Sequence, residues 1–437
     1  MLKRPRQYTP ARPEVGQPDK GSQNPRSEVR YLLALNAGAT QGLDNRLYTD
    51  PSWSHDLVEH AVHFPCMTFL APVNRRQPRV SEQLIPDVFH RVVPYHGFGG
   101  RFLSYLCIPA FIVLFARELR RADIVHTCIA GKPFPIGWLM VPLARLFGVK
   151  IAIVVESAFW RINPGERASP RRRLSARFWE AANRWCLRQA DYAAYQHEHD
   201  RMALPALKAR RSVLYQASWI NDGDILDEPT VERRLTERRQ KPRLKVLFAS
   251  RMVTEKGTGI VSAVFAELAN DPVDITFVGA GPEWESVKAS AKRYSTDGRF
   301  RPADPIPYGP AFLEFLDEFD VVIVPSLSDE QPRIVYDAYA RGVAVVGSRT
   351  SGLEASIDDG ETGLLVPPGD VEKLASALRI LSHDRQKLES LSLGGRARAI
   401  AYTHRAFHAA RARDITAVVH GDDNPGQVDT GCEIAGA

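Results

Sequence analysis

The sequence predicts an α/β chain of two domains, each a parallel sheet covered by helices. Three observations predict it. The chain has 437 residues, more than one hydrophobic core usually organises. Apolar runs of strand length alternate with helix-like stretches in both halves, as parallel sheets with crossover helices require. A strongly charged stretch, 228–243, separates the two series and reads as an interdomain linker. Hydrophobic residues at 44% and charged residues at 25% fit a globular protein. The prolines and glycines follow no fixed period, which excludes collagen-like and repeat architectures.

Residues 1–27 form a polar, basic, proline-bearing tail without the apolar core of a signal peptide, and are predicted to be disordered. The first domain is expected over 28–227. Its first strand, 29–36, leads into a loop, 36–45, where Gly38 and Gly42 either bring backbone close to a ligand or simply turn the chain. Strands at 122–128 and 149–156 direct His126 and Glu156 toward the same cleft, although a buried imidazole and a structural acid are equally good readings. Strands at 191–195 and 212–215 complete this half. The stretches 102–121 and 171–188 mix arginines with aromatic residues, as a helix resting on an anionic bilayer surface would. The alternative places Phe178, Trp185 and Leu187 in a core with the arginines in water.

The second domain is expected over 244–396. Its first strand ends at a turn carrying Arg251 and Lys256, and cations at the carboxyl end of a strand suit a diphosphate: arginine grips oxygens with a planar fork and lysine acts as a point charge. A strand ending in Gly279-Ala280-Gly281 follows. After a buried strand at 321–326, Asp329 lies in a loop and Asp337 about one turn inside the helix 333–340, so both carboxylates can share one edge of the cleft. Each offers several lone-pair sites to the paired hydroxyls of a sugar. The plainer reading makes Asp329 an acid at a helix start and Asp337 an ordinary helix-face acid. Helices are predicted at 371–381, 384–393 and 397–420, with an unstructured tail at 421–437.

The stretch from Pro325 to Ser348 resembles the signature of the retaining glycosyltransferases of the large group 1 family, which have the GT-B fold: two Rossmann-like domains with parallel sheets facing across a cleft. That family places an acid, seven residues and a second acid before Ala and Gly. Here the positions hold Asp329, Asp337, Ala338 and Gly342. The resemblance extends to Arg251, Lys256, Gly279 to Gly281 and the segment from Gly360 to Asp370. It implies that Arg251 and Lys256 bind the donor diphosphate with backbone groups near Gly352 and Leu353, that Asp329 contacts the donor sugar and that Asp337 contacts the ribose. Arg251, Lys256 and Asp329 are then the catalytic set. Gly38, Gly42, His126 and Glu156 become candidates for the acceptor side or a phosphate loop, and 397–420 a helix crossing back to the first domain. Both acids are one methylene shorter than the usual Glu, and Gln331-Pro332 stand where Phe-Gly is common. Taking Glu330 as the first acid would put Ala338 at the second position.

The implied activity is hexosyl transfer from a nucleoside diphosphate sugar to a hydroxyl of a glycan or lipid-linked glycan, with retention and without a metal or other cofactor. No nucleic-acid partner is expected. His197 with His199, and His404 with His408, have spacings a metal could use, but no further ligand can be named, and Asp222-Gly-Asp224 reads as a turn. Five cysteines without a CxxC pair, and no uninterrupted apolar stretch of eighteen, suggest a cytoplasmic chain, with the inner face of the plasma membrane as a candidate location. Two other readings stay open: an epimerase acting on sugar nucleotides with the same fold, and a non-catalytic protein that binds sugar nucleotides or glycans.

Overall fold

A computed structural model of the protein describes residues 29–79, 82–85, 90–96, 107–131, 135–156, 158–162, 168–216, 218–295, 297–329 and 331–422. The expected amino-terminal tail, most of the carboxyl-terminal tail and Glu330 lie outside these residues. Two sheets organise the chain. The first contains β1 (Tyr31–Ala34), β2 (Ala39–Gln41), β3 (Leu47–Thr49), β4 (Thr68–Arg75), β5 (Gln83–Leu84), β6 (Arg91–His96), β7 (Ile124–Cys128), β8 (Lys150–Val155), β9 (Tyr192–Tyr195) and β10 (Arg211–Leu214). Its order is β10-β9-β8-β7-β1-β4-β2-β3-β5, with β6 also beside β4, and only the short β2-β3 and β3-β5 pairs are antiparallel. The central strands are short runs of Val, Ile, Leu and Ala buried on both faces, the composition a parallel sheet under two helix layers demands.

The second sheet is wholly parallel: β11 (Leu244–Ala249), β12 (Val273–Val278), β13 (Phe300–Ala303), β14 (Val321–Val324), β15 (Ala344–Ser348) and β16 (Gly363–Val366), in the order β13-β12-β11-β14-β15-β16. Strand order reverses between β11 and β14, so the loops leaving those two strands diverge and open a crevice, where open α/β sheets bind ligands. Gly257, just before the helix Thr258–Glu267, has φ of +76°, and a methyl group there would run into the carbonyl oxygen of Pro325. A glycine is therefore what lets the loop after β11 press against the loop after β14.

Three expectations are corrected. The stretch 228–243 is not a linker: Glu228–Arg239 is a helix of the second domain, started by the Asp227 cap, with Val231 and Leu235 buried. Two of its charges turn inward, Arg234 reaching Asp317 at 2.8 Å and Arg238 reaching Asp320 at 3.3 Å. The loop 36–45 is not one loop but a strand, β2, and a turn into β3, with Gly42 in the turn. The stretch 397–420 is not one helix either. Arg385–Ala401 stays on the second domain, the chain breaks at Tyr402 and Thr403, and the Thr403 hydroxyl caps a new helix, His404–His420, whose Ala412, Ile415 and Val418 lie in the first-domain core.

The chain therefore crosses between domains twice. Tyr215 belongs to the first-domain core and Ile220 to the second, and the return crossing lies between Tyr402 and His404. The two crossings are joined: the backbone N–H of His404 donates to the carbonyl of Ile220 at 2.8 Å.

Candidate active site

On the second domain the structure gathers the predicted donor residues at the point where strand order reverses. The backbone N–H of Leu327 donates to the Glu255 carbonyl at 2.8 Å, and the Ser326 hydroxyl donates to the same oxygen at 3.2 Å. The loop holding Lys256 thus lies against the segment leading to Asp329. Asp329 in turn accepts from the backbone N–H of Ser351 at 3.3 Å, at the start of the short helix Ser351–Glu354 that contains Gly352 and Leu353. Arg251 and Asp329 are exposed and Lys256 is half-buried.

Asp337 lies differently. It is buried at 3% exposure in the helix Ile334–Ala340, and the hydroxyl of Tyr308 donates to its Oδ1 at 3.0 Å. Burial raises its carboxyl to about 7, and the Tyr308 bond and nearby Arg333 only partly offset that. Its expected ribose-facing oxygen is therefore already engaged by a side chain from the loop after β13. The Arg333 guanidinium sits over the rings of Trp219 at 5.2 Å and Tyr308 at 5.7 Å, within cation–π range. Tyr308 and Trp219 have no local motif, and only the fold brings them to Asp337 and Arg333.

Across from this crevice lies a cavity of about 900 Å³. Its walls come from the carboxyl ends of β1, β7, β8, β9 and β10, from the helix Pro51–His63, and from the crossing helix His404–His420. Gly38, His126 and Glu156 line it as predicted, whereas Gly42 is not among its walls. Gln331 and Arg333 line it from the second domain, so the loop of Asp329 borders both spaces. Gln331 also donates to Gln216 at 2.6 Å, and Tyr336 donates to the same oxygen at 2.8 Å. Lys132, near the candidate acceptor strand, lies outside the described residues.

One wall holds a buried polar cluster that the sequence only hinted at through the His404 and His408 pair. His408 Nε2 is 3.0 Å from Asp56 Oδ1, and His404 Nε2 is 3.5 Å from the same oxygen. Arg411, one turn further on, donates to His408 Nδ1 at 2.7 Å and to His60 Nε2 at 2.8 Å. Tyr31 Oη lies 2.5 Å from His126 Nδ1. Asp56, His60 and His408 have the donor types of a metal site. However, a guanidinium can only donate. It therefore fixes both imidazoles as acceptors on the sides it faces and supplies the positive charge opposite Asp56. Burial raises the Asp56 carboxyl, but hydrogen bonds to His404 and His408 outweigh it and hold the group well below its usual range. Burial and then Arg411 hold His60 and His408 neutral, and His126 is lowered to about 3. The cluster is a neutral-imidazole bridge between one acid and one arginine.

Comparison with known proteins fits this arrangement. Residues 243–384 match the family described as Glycosyl transferases group 1. Over those residues, the greater part of the second domain, the chain is similar to that family. Among curated relatives, the chain is 26% identical over 360 residues to the 2-deoxystreptamine glucosyltransferase of Streptomyces kanamyceticus, covering 78% of this chain and 90% of that one. It is 31% identical over 155 residues to the 2-deoxystreptamine N-acetyl-D-glucosaminyltransferase of Niallia circulans, a match spanning 35% of this chain and 39% of the relative's length. Among solved structures, Anabaena HepE in complex with UDP superposes with a TM-score of 0.62 at 15% identity, covering 88% of this chain and 99% of that one. A sucrose-phosphate synthase from Thermosynechococcus elongatus gives 0.60 at 17% identity, over 90% and 99% of the two chains. The fold of the chain is GT-B.

Proposed function

We propose that the protein moves a hexosyl group from a nucleoside diphosphate sugar to a hydroxyl of a glycan or lipid-linked glycan, with retention of configuration and without a metal. The observation that carries this reading is the contact of the loop holding Lys256 with the segment leading to Asp329, beside a cavity at the carboxyl edge of the first sheet. The donor lies in the crevice with its diphosphate against the two cations, and the acceptor hydroxyl enters from the cavity side. As the anomeric carbon–oxygen bond to phosphate breaks, negative charge grows on the leaving diphosphate. Two fixed cations stabilise that charge more in the transition state than in the ground state. Asp329 accepts hydroxyls of the donor sugar and orients it. A uridine donor is the first to test, because the structurally similar HepE was solved with UDP.

The test is a panel of nucleotide sugars, read first as a rise in melting temperature and then as consumption with acceptors that include 2-deoxystreptamine, named for two relatives. One nucleotide sugar should raise the melting temperature and be consumed only when an acceptor is present. Binding with no consumption under any acceptor would favour a non-catalytic binder, and release of an epimerised sugar nucleotide an epimerase.

Peripheral membrane contact belongs to the same proposal. No helix among the described residues is long and apolar enough to cross a membrane. On the helix Pro170–Arg188, Leu174 is 70% exposed, Phe178 61% and Trp185 46%, among arginines, while Leu187 is buried. Apolar side chains left in water beside guanidinium groups suit a bilayer interface with anionic headgroups. The protein should sediment with vesicles containing anionic lipid and not with neutral ones, and replacing all three side chains by serine should abolish that. Equal sedimentation of the triple variant would remove this helix from the interface.

A further inference from the structure

We propose that the first-domain cavity takes an acceptor ring bearing a protonated amine, and that Glu156 holds that amine. This rests on the glycosyltransferase reading and narrows its acceptor to a class: hydroxylated rings that carry an ammonium group, such as aminocyclitols and amino sugars.

Glu156 follows β8, at the edge of the sheet where the cavity opens. Its side chain is exposed into the cavity. Among the described residues no hydrogen bond or ion pair to its carboxylate is recorded. The nearby charges are otherwise engaged. Arg411 spends its donors on His60 and His408, lies 4.7 Å from the Phe407 ring centroid, and answers the charge of Asp56. Arg333 is held between the rings of Trp219 and Tyr308 on the second-domain side. The imidazoles of His60 and His126 stay neutral and add no positive charge. Enclosure, and then the negative charge of Asp56, push the Glu156 carboxyl upward, and Arg411 does not cancel them.

Among the described residues no cation is bonded to that carboxylate, and the ligand is the partner that can bring one. A neutral hydroxyl brings no opposite charge to it, whereas an ammonium forms a charge-assisted hydrogen bond. Asp50, a second acid of the wall, adds to the negative field. The remaining surface suits a ring: Trp53, Phe159 and Trp219 offer aromatic faces to carbon-bound hydrogens, and such faces also attract cations.

Titration calorimetry with the full chain, in the presence of UDP or GDP, tests this with two probes of similar shape, 2-deoxystreptamine and myo-inositol. The amine-bearing ring should bind at least about tenfold more tightly. In Glu156→Gln that preference should vanish through weaker binding of the amine alone, and Glu156→Asp should keep part of it. Melting curves of both variants report whether the fold survives. Equal affinity for the two probes, no binding of either, or a preference that persists in Glu156→Gln would overturn the proposal. If either nucleotide still binds and a nucleotide sugar is still consumed, the transferase reading survives that failure. Loss of nucleotide binding in the native chain would strike the transferase reading itself.

Discussion

Replacing Arg251 or Lys256 with alanine is expected to lower turnover about a hundred- to a thousandfold, equivalent to roughly 3–4 kcal/mol of transition-state stabilisation, if each cation acts as one oxyanion donor does elsewhere. The effect should fall mainly on kcat, because the charge that they answer is greatest when the diphosphate is leaving. Both residues stand on the loop that Gly257 lets pack against Pro325, so the loop backbone can persist when either side chain is shortened. Steady-state kinetics with the preferred donor are the check. Losses below about fivefold in both variants would take the pair out of the mechanism.

Asp337→Asn should produce the second large effect, and on stability its sign is the reverse of an ordinary active-site lesion. The unfolded carboxyl titrates near 3.8 and the folded one near 7. The folded chain therefore binds the extra proton between those values. The stability that this group contributes is full below about pH 4 and is lost as pH rises through about 7. The difference corresponds to at most about 4 kcal/mol. Asparagine cannot ionise and still offers Tyr308 an acceptor oxygen, so the variant should be more stable than the native chain at pH 8 and nearly matched at pH 4. Urea unfolding at both values measures this. If Asp337 contacts the donor ribose, as the family resemblance implies, nucleotide affinity should fall at the same time. An unchanged stability difference across pH would mean that Asp337 is not held protonated by burial.

The architecture was legible wherever apolar runs were long and bounded. The strands that became β7, β8, β11 and β14 were readable within about two residues, because strands buried on both faces must be continuous hydrophobic stretches. The charged segment 228–243 misled because its arginines looked solvated. Arg234 and Arg238 in fact reach inward to acids more than eighty residues away, and sequence spacing carries no trace of such pairs. The helix break at Thr403 was missed for a local reason: a threonine cap inside a continuing helical pattern is a weak signal beside the pattern itself.

The places of Arg251, Lys256 and Asp329 in loops after strands were readable because the strands before them are continuous apolar runs, and those of Gly38, His126 and Glu156 at or near strand ends for the same reason. Tyr308, Trp219 and the Asp56, His60 and Arg411 group were not. They belong to helices and loops with no shared motif, and they meet only because the last described helix returns to the first domain. His404 and His408 were noticed as a pair, but the residues that answer them lie about 350 positions earlier.

The hydrogen bond from His404 to Ile220 ties the outgoing and returning chain into a single strap, and His404 is also part of the cavity wall. Any swing of one half against the other must pivot on that strap, so the angle between the halves and the shape of the pocket beside it are geared together. A molecule seated in the pocket would then set how far the opposite half can rotate toward it, and an occupied pocket and an empty one would favour different degrees of closure.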